Sequence, residues 1–269
     1  MMLLVDVGNS RVKWARLDAG GGLGEQSAAP YAGWSVEDWR AALFGGQPVE
    51  GVLAASVAGD AADSALDAAT RLATGRGVQF VASTREAAGV RNGYADPDLL
   101  GVDRWVAVVG AYRRTRAACV VADIGTAATI DVVASGGSHQ GGYIVPGPAL
   151  MVASLLRSTA DLAAHHGSSG AARADQPFAD NTRDAIELGC RLAVAALVDR
   201  SVADAERATG VRPRLLLTGG AAPGLLPHLL TAAEHLPELV LLGLAELARA
   251  GGLILGDQRT ITRDAGTDV

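Results

Sequence analysis

The chain opens with a short apolar run, Leu3 to Val5, that stops at Asp6-Val7-Gly8-Asn9-Ser10. A run bounded by small polar residues predicts a buried strand leading into a turn. Val12 to Leu17 alternates well enough to predict a second strand, and Asp18 to Gly24 reads as a glycine-rich turn. A further strand is expected at Val49–Val57, an Ala-rich helix at Asp60–Thr74, and a return to strand at Val78–Ala82. From Asp103 onward, Trp105, Val108, Val109 and Tyr112 follow the i, i+3, i+4, i+7 spacing of an amphipathic helix.

The opening pattern then recurs. Cys119 to Ala122 is an apolar run ending in Asp123-Ile124-Gly125-Thr126, followed by a predicted strand at Ala127–Val133 and a turn at Ser135–Ser138. Aligned, LLVDVGNSRVKWARL and VVADIGTAATIDVV share strand, Asp, apolar residue, Gly, small polar residue, strand and turn. This is one duplication rather than a repeat array. Beyond it, the pattern predicts a helix near Pro148–His165, a loop at Gly167–Pro177, and a long helix starting at Asn181 or Thr182. Asn181 or Thr182 suits an N-cap, and Asp184 and Glu187 place negative charge near the helix start. Ile186, Cys190, Ala193 and Leu197 mark its expected buried face. A strand at Arg214–Leu217 runs into Thr218-Gly219-Gly220, followed by a helix, a strand at Leu239–Leu242 and a last helix to about Leu255. Alternating strands and helices imply an α/β fold with mixed sheets. The halves are read as residues 1–117 and 118–256, with 257–269 as a frayed tail.

Composition narrows the function classes. A hydrophobic fraction of 49% with 19% charged residues marks a globular chain, and aromatic residues at 4% favour closely packed small-residue helices. The formal charge of −6 argues against nucleic acid or an anionic membrane surface as partner. The local basic cluster, Arg113, Arg114 and Arg116, reads as a solvated helix end. Cys119 and Cys190 lie in apolar stretches and form no motif, which suits reduced core residues of a cytoplasmic protein. No segment has the length and apolarity of a membrane span, and nothing at the N-terminus resembles a secretory leader. The adjacent His165 and His166 do not share a helix face and read as a solvated pair rather than a metal site.

The two Asp-x-Gly turns carry the candidate chemistry. A carboxylate at the end of a buried strand, beside a glycine that lets backbone approach a ligand, suits a Mg–nucleotide site. Asp6 and Asp123 would serve as carboxylates. Asn9, Ser10, Thr126 and Thr129 would offer hydroxyl, amide and backbone donors to phosphate, and Lys13 would add positive charge. No GxxxxGK[ST] is present, which excludes a P-loop, and no GxGxxG follows a strand. Taken alone, Asp103 would be a helix N-cap and Arg104 a surface residue.

Two such turns on duplicated halves resemble the acetate kinase–hsp70–actin superfamily of ribonuclease H-like ATPases. More narrowly, Asp6-x-Gly8-Asn9-Ser10-x-x-Lys13, Gly101-Val102-Asp103-Arg104, Asp123-x-Gly125-Thr126-Ala127-x-Thr129 and Gly141-Gly-x-Ile144-x-Pro146-Gly147 resemble the type III pantothenate kinases, in the family's order. Ser10 stands where the family often has Thr, which keeps the hydroxyl. The resemblance implies two ribonuclease H-like (actin-like ATPase) halves and an ATP-dependent kinase acting on pantothenate. It implies that Asp6, Val7, Gly8, Asn9, Ser10, Arg11, Val12 and Lys13, with Thr126, hold the ATP phosphates, with Mg²⁺ and Asp6 as its ligand. Asp123 would take a monovalent cation, K⁺ or NH₄⁺. Asp103 would be the catalytic base, and Tyr94, Gly101, Val102, Arg104 and Thr182 would contact pantothenate, with Arg104 offering a guanidinium fork to substrate oxygens. Gly141–Gly147 would shape the nucleotide cleft. A homodimer is also implied, Thr182 reaching the partner's pocket. The alternatives are a kinase of the same superfamily with another substrate and a nucleotide-binding regulatory accessory protein.

Overall fold

In a computed structural model that describes residues 1–46, 48–158 and 178–251, the recurring pattern builds two sheets of one design. β1 (Met2–Val7) runs antiparallel to β2 (Arg11–Leu17), which pairs antiparallel with β3 (Ser27–Pro30). On its other side β1 is parallel to β4 (Gly51–Ser56), and β4 is parallel to β5 (Gln79–Phe80). After a small hairpin, β6 (Glu86–Ala87) and β7 (Val90–Arg91), the second sheet repeats the first in order and direction. Its strands are β8 (Cys119–Ile124), β9 (Ala127–Val133), β10 (His139–Pro146), β11 (Arg214–Thr218) and β12 (Ala233–His235).

Period-two alternation gives each strand two apolar faces, and helices cover both. On β1, Leu3, Val5 and Val7 face outward with Trp39 and Leu43 of α1 (Val36–Phe44) and Leu66 and Ala69 of α2 (Asp60–Thr74). Leu4 faces inward. On β8, Val120, Ala122 and Ile124 face outward, while Cys119 and Val121 face inward. The inner faces share one core, and within it lie α3 (Val102–Thr115) and, later in the chain, α7 (Leu239–Arg249). The outer side of the second sheet is covered by α4 (Pro148–Ser158) and α5 (Thr182–Thr209), with the short α6 (Ala222–Leu225) following β11. The layers therefore run helix, sheet, helix, sheet, helix.

The middle layer joins the halves. α3 follows the first sheet in sequence but packs on β8 and β9 of the second as well as on β4, and α7 follows the second sheet but packs on β1, β2 and β4 of the first. The two helices cross at glycine. A Cβ on Gly110 would lie 2.7 Å from the Leu239 carbonyl oxygen, and one on Gly243 would run into the Val106 carbonyl. No other residue permits so close a backbone approach.

Several elements differ from the sequence reading. Leu239–Leu242, expected as a strand, is the first turn of α7. Its first four residues, LVLL, are all apolar, and so short a run shows no helical period and looks like a buried strand. The strand lies earlier, at Ala233–His235. The buried face of α5 follows Ile186, Cys190, Val194 and Val198, with Ala193 exposed and Leu197 half-buried. Arg114 and Arg116 are exposed, as a solvated helix end requires, though Arg114 also pairs with Glu234 of β12 at 2.8 Å; Arg113 is half-buried and pairs with Glu246 of α7 at 2.6 Å. Asn181 is the N-cap of α5, its side chain accepting the Asp184 N–H at 3.0 Å. Both cysteines are free and buried. The expected loop at 167–177, His165, His166, the ends of the helices expected to reach 165 and 255, and the 257–269 tail lie outside the described residues.

Candidate active site

Strand register selects which side chains enter the space between the sheets. Asp6 follows Leu4 by two positions on β1, Lys13 precedes Ala15 by two on β2, and Asp123 follows Val121 by two on β8, so all three belong to inward-facing rows. Asp6 and Lys13 are cross-strand partners, as are Asp123 and Thr129. Each strand pair is closed by a tight loop, with the Gly8 N–H donating to the Arg11 carbonyl at 3.0 Å and the Gly125 N–H to the Ala127 carbonyl at 2.9 Å. The loops meet across the cleft, where the hydroxyls of Ser10 and Thr126 lie 3.3 Å apart. Asn9, Ser10, Arg11 and Thr126 are exposed there, whereas Val7 and Val12 turn their side chains into the outer core and leave only backbone available. Tyr31 braces the first loop by donating to the Gly8 carbonyl at 2.6 Å. Gly147 donates to the Thr126 carbonyl at 2.8 Å, and a Cβ there would strike the Gly125 carbonyl, so the Gly141–Gly147 segment shapes the second loop.

The third carboxylate comes from the middle layer. Gly101, not Asp103, is the N-cap of α3; Asp103 lies in the first turn, where its Oδ1 accepts the Arg104 N–H at 2.7 Å. Negative charge is favoured at that end of a helix. Asp103, Asp6, Asp123 and Lys13 form one electrostatic group. Burial pushes Asp6 up to about 7, against the pull of Lys13 and with smaller upward pushes from Asp123 and Asp103. Burial also holds Asp123 above the usual carboxylate range, opposed by Lys13, and does the same for Asp103, opposed by the Arg104 N–H and guanidinium. Lys13 Nζ donates to the Pro237 carbonyl at 3.4 Å, which ties the first sheet to the start of α7.

Arg104 departs from the reading made on the residues alone. It is 6% exposed, so it is no surface residue, and its Nε and Nη2 donate to the two oxygens of Asp131 at 2.9 and 2.6 Å. The fork offered to substrate is thus engaged within the chain, and Nη1 donates to Tyr94 Oη at 2.9 Å. Asp131 also bonds His139 Nε2 at 2.9 Å. Neither Asp131 nor His139 was singled out from sequence. The signal was a lone acid in the apolar strand AATIDVV, in the same inward row as Val133.

Thr182 stands apart. It shares no hydrogen bond with Tyr94, Asp103 or Arg104, and lines an apolar groove of about 700 Å³ with Pro146, Met151, Ile186 and Cys190 between α4 and α5. Among the described residues, no three His, Cys, Asp or Glu side chains gather to hold a metal by themselves. No hydrogen-bond donor among them reaches the buried Asp6 carboxylate. A cation shared with phosphate oxygens or water fits that donor set, and an all-protein cage does not. No described helix is long and apolar enough to cross a membrane.

Solved structures share this architecture. One, from Campylobacter jejuni and assigned to the Baf family of transcriptional activators, has a TM-score of 0.59 at 20% identity, over 93% of this chain and 98% of that one. The activator of the 2-hydroxyisocaproyl-CoA dehydratase from Clostridium difficile has a TM-score of 0.51 at 12% identity, over 93% and 96%. At such identities the likeness is one of fold, the duplicated ribonuclease H-like design of actin-like ATPases. The sequence relatives define the class, an ATP-dependent kinase. The sequence pattern of the type III pantothenate kinases matches residues 2–204. A type III pantothenate kinase of Aromatoleum aromaticum is 40% identical over 250 residues, 93% of this chain and 98% of that protein. Another, of Cupriavidus taiwanensis, is 41% identical over 276 residues, 92% and 98%. The chain belongs to the type III pantothenate kinase family.

Proposed function

We propose that this chain transfers the γ-phosphoryl group of ATP to the primary hydroxyl of pantothenate, giving 4′-phosphopantothenate and opening coenzyme A synthesis in the cytoplasm. The observation that carries the reading is the convergence of Asp103, at the start of α3, with the strand-end carboxylates Asp6 and Asp123 and with Lys13. Asp103 accepts the proton of the attacking hydroxyl, and its raised proton affinity brings it nearer the pKa of an effective base. Asn9, Ser10, Thr126 and the backbone of residues 6–13 hold the phosphates, and Lys13 offsets charge that builds on the transferred group. Asp6 would hold Mg²⁺ brought with the nucleotide, which would supply neutralisation of phosphate charge, and Asp123 would hold K⁺ or NH₄⁺. Gly101 and Val102 border the acceptor beside Asp103, Tyr94 grips it, and Arg104, its fork held by Asp131, acts on it through the Tyr94 hydroxyl. The division into halves at residue 117 and a homodimer belong to the same proposal. Thr182, on its own apolar groove, would contribute to the partner's acceptor pocket, and sedimentation as a monomer at working concentration would remove that part.

The deciding experiment is a coupled assay of ADP release with pantothenate, ATP, Mg²⁺ and K⁺, leaving out each in turn. Turnover that requires pantothenate and rises with K⁺ is the expected result. A folded protein that binds ATP and acts on another alcohol overturns the substrate, and one silent with every alcohol overturns the kinase reading in favour of a nucleotide-binding regulator.

A further inference from the structure

Arg104, Asp131 and His139 are charged or polar, yet exposed by only 6%, 2% and 1%. A buried ion pair offsets its desolvation only with good geometry and complete hydrogen bonding. The geometry is close, and each Arg104 nitrogen has a partner. The two oxygens of Asp131 receive Nε and Nη2 of Arg104, and Oδ1 also meets His139 Nε2. The Gly93 N–H is directed at His139 Nδ1 at 3.4 Å, which makes that nitrogen the acceptor and leaves the ring proton on Nε2 for Asp131. The group joins α3, β9, β10 and the segment carrying Tyr94.

Tyr94 is where this group ends. Arg104 Nη1 donates to its hydroxyl, so a lone pair is occupied and the phenolic proton is left for another acceptor. Its ring stacks on the His139 imidazole, with centroids 6.0 Å apart and planes at 16°. Ring and hydroxyl are therefore fixed by different members of one network.

We propose that Asp131 and His139 are positioning residues for the phosphoryl acceptor: they hold Arg104 and the Tyr94 ring so that the Tyr94 hydroxyl donates to the acceptor beside Asp103. The inference rests on the roles given above to Asp103 and Tyr94. Pairing with Asp131 also neutralises Arg104. An unpaired buried guanidinium near the cleft would draw nucleotide phosphate into the acceptor site, and the Arg104–Asp131 pair presents a neutral phenol there instead.

The test is a kinetic comparison of Asp131→Asn, Tyr94→Phe and the double variant. Asp131→Asn keeps shape but turns an N–H toward one of its donors, and the expected result is an acceptor KM raised about tenfold or more, with ATP KM within about twofold of wild type. On the Tyr94→Phe background, adding Asp131→Asn changes the acceptor KM by less than about twofold, because the effect passes through the missing hydroxyl. A lowered melting temperature with both KM values unmoved, or with both moved alike, overturns the proposal. So do effects that simply add in the double variant. If Asp131→Asn does not fold, His139→Leu, which removes one bond to Asp131 and the stacked ring, takes its place in the same comparison. If the wild type phosphorylates an alcohol other than pantothenate, the substrate reading fails alone, and the acceptor KM measured with that alcohol decides this inference.

Discussion

With its carboxyl pushed up to about 7, Asp6 is close to half protonated in the unliganded protein at neutral pH. The cost of its charge has a definite pH window. Below about 3.8, the ordinary value, folded and unfolded chains both hold the proton; between there and about 7 the folded chain holds more, so this group's contribution to stability falls as pH rises. Every tenfold difference in proton affinity between the two states corresponds to about 1.4 kcal/mol. Thermal melts without nucleotide are therefore expected to show Asp6→Asn above the wild type in Tm at pH 8, the gap closing toward pH 4; a gap that widens on acidification would contradict the burial of Asp6. For Asp103, the variant Asp103→Asn keeps fold and ATP binding while turnover drops by about 10²–10⁴. The acid limb of the wild-type kcat/KM profile belongs above the usual aspartate range, activity being lost as pH falls through the raised value and Asp103 gains its proton. Asp6 and Asp123 were readable from sequence because each ends an apolar strand beside glycine. Asp131, the carboxylate partner of Arg104, was not, because it meets Arg104 only once the inner face of the second sheet packs on α3.

At the level of elements, the duplicated strand–turn–strand units and α3 were legible because each shows its own period over enough residues. α7 was half lost, since its enclosed sequence LVLL carries no period, and β12 with its half-buried AEH carries no strand signal. β3, α1 and β10 went unread, their patterns being short, exposed or broken by glycine. The crossing of α3 and α7 makes a sharp prediction. Gly243→Ala forces the helices apart at the Val106 carbonyl and costs about 1–3 kcal/mol or more, as overpacking does. Gly189→Ala in α5, where an added Cβ meets nothing within 4 Å, gains up to about 1 kcal/mol from helix propensity. Denaturant melts of the two variants measure both, and equal midpoints would mean that the crossing is looser than described.

For the whole molecule, one core cluster contains strands of both sheets together with α3 and α7. Neither sheet keeps a covered inner face if the other unfolds. Calorimetry is therefore expected to show a single transition with equal calorimetric and van't Hoff enthalpies, despite the two-part architecture. Two resolved transitions would mean that the halves are energetically separate. A nucleotide bound between the loops shifts that single transition upward as a unit, its stabilisation growing as RT ln(1 + [L]/Kd).

The helices shared across the middle layer also bear on ancestry. One copy of the repeated unit, alone, would have an uncovered inner sheet face and a terminal helix with too little to pack on. Two identical copies trading those helices would satisfy each other, as a symmetric pair of short chains. Fusing the genes for such a pair turns a concentration-dependent encounter into an intramolecular one, and frees each copy to specialise. The two units of the present chain differ at the matching position: Lys13 stands opposite Asp6 in one, and Thr129 stands opposite Asp123 in the other.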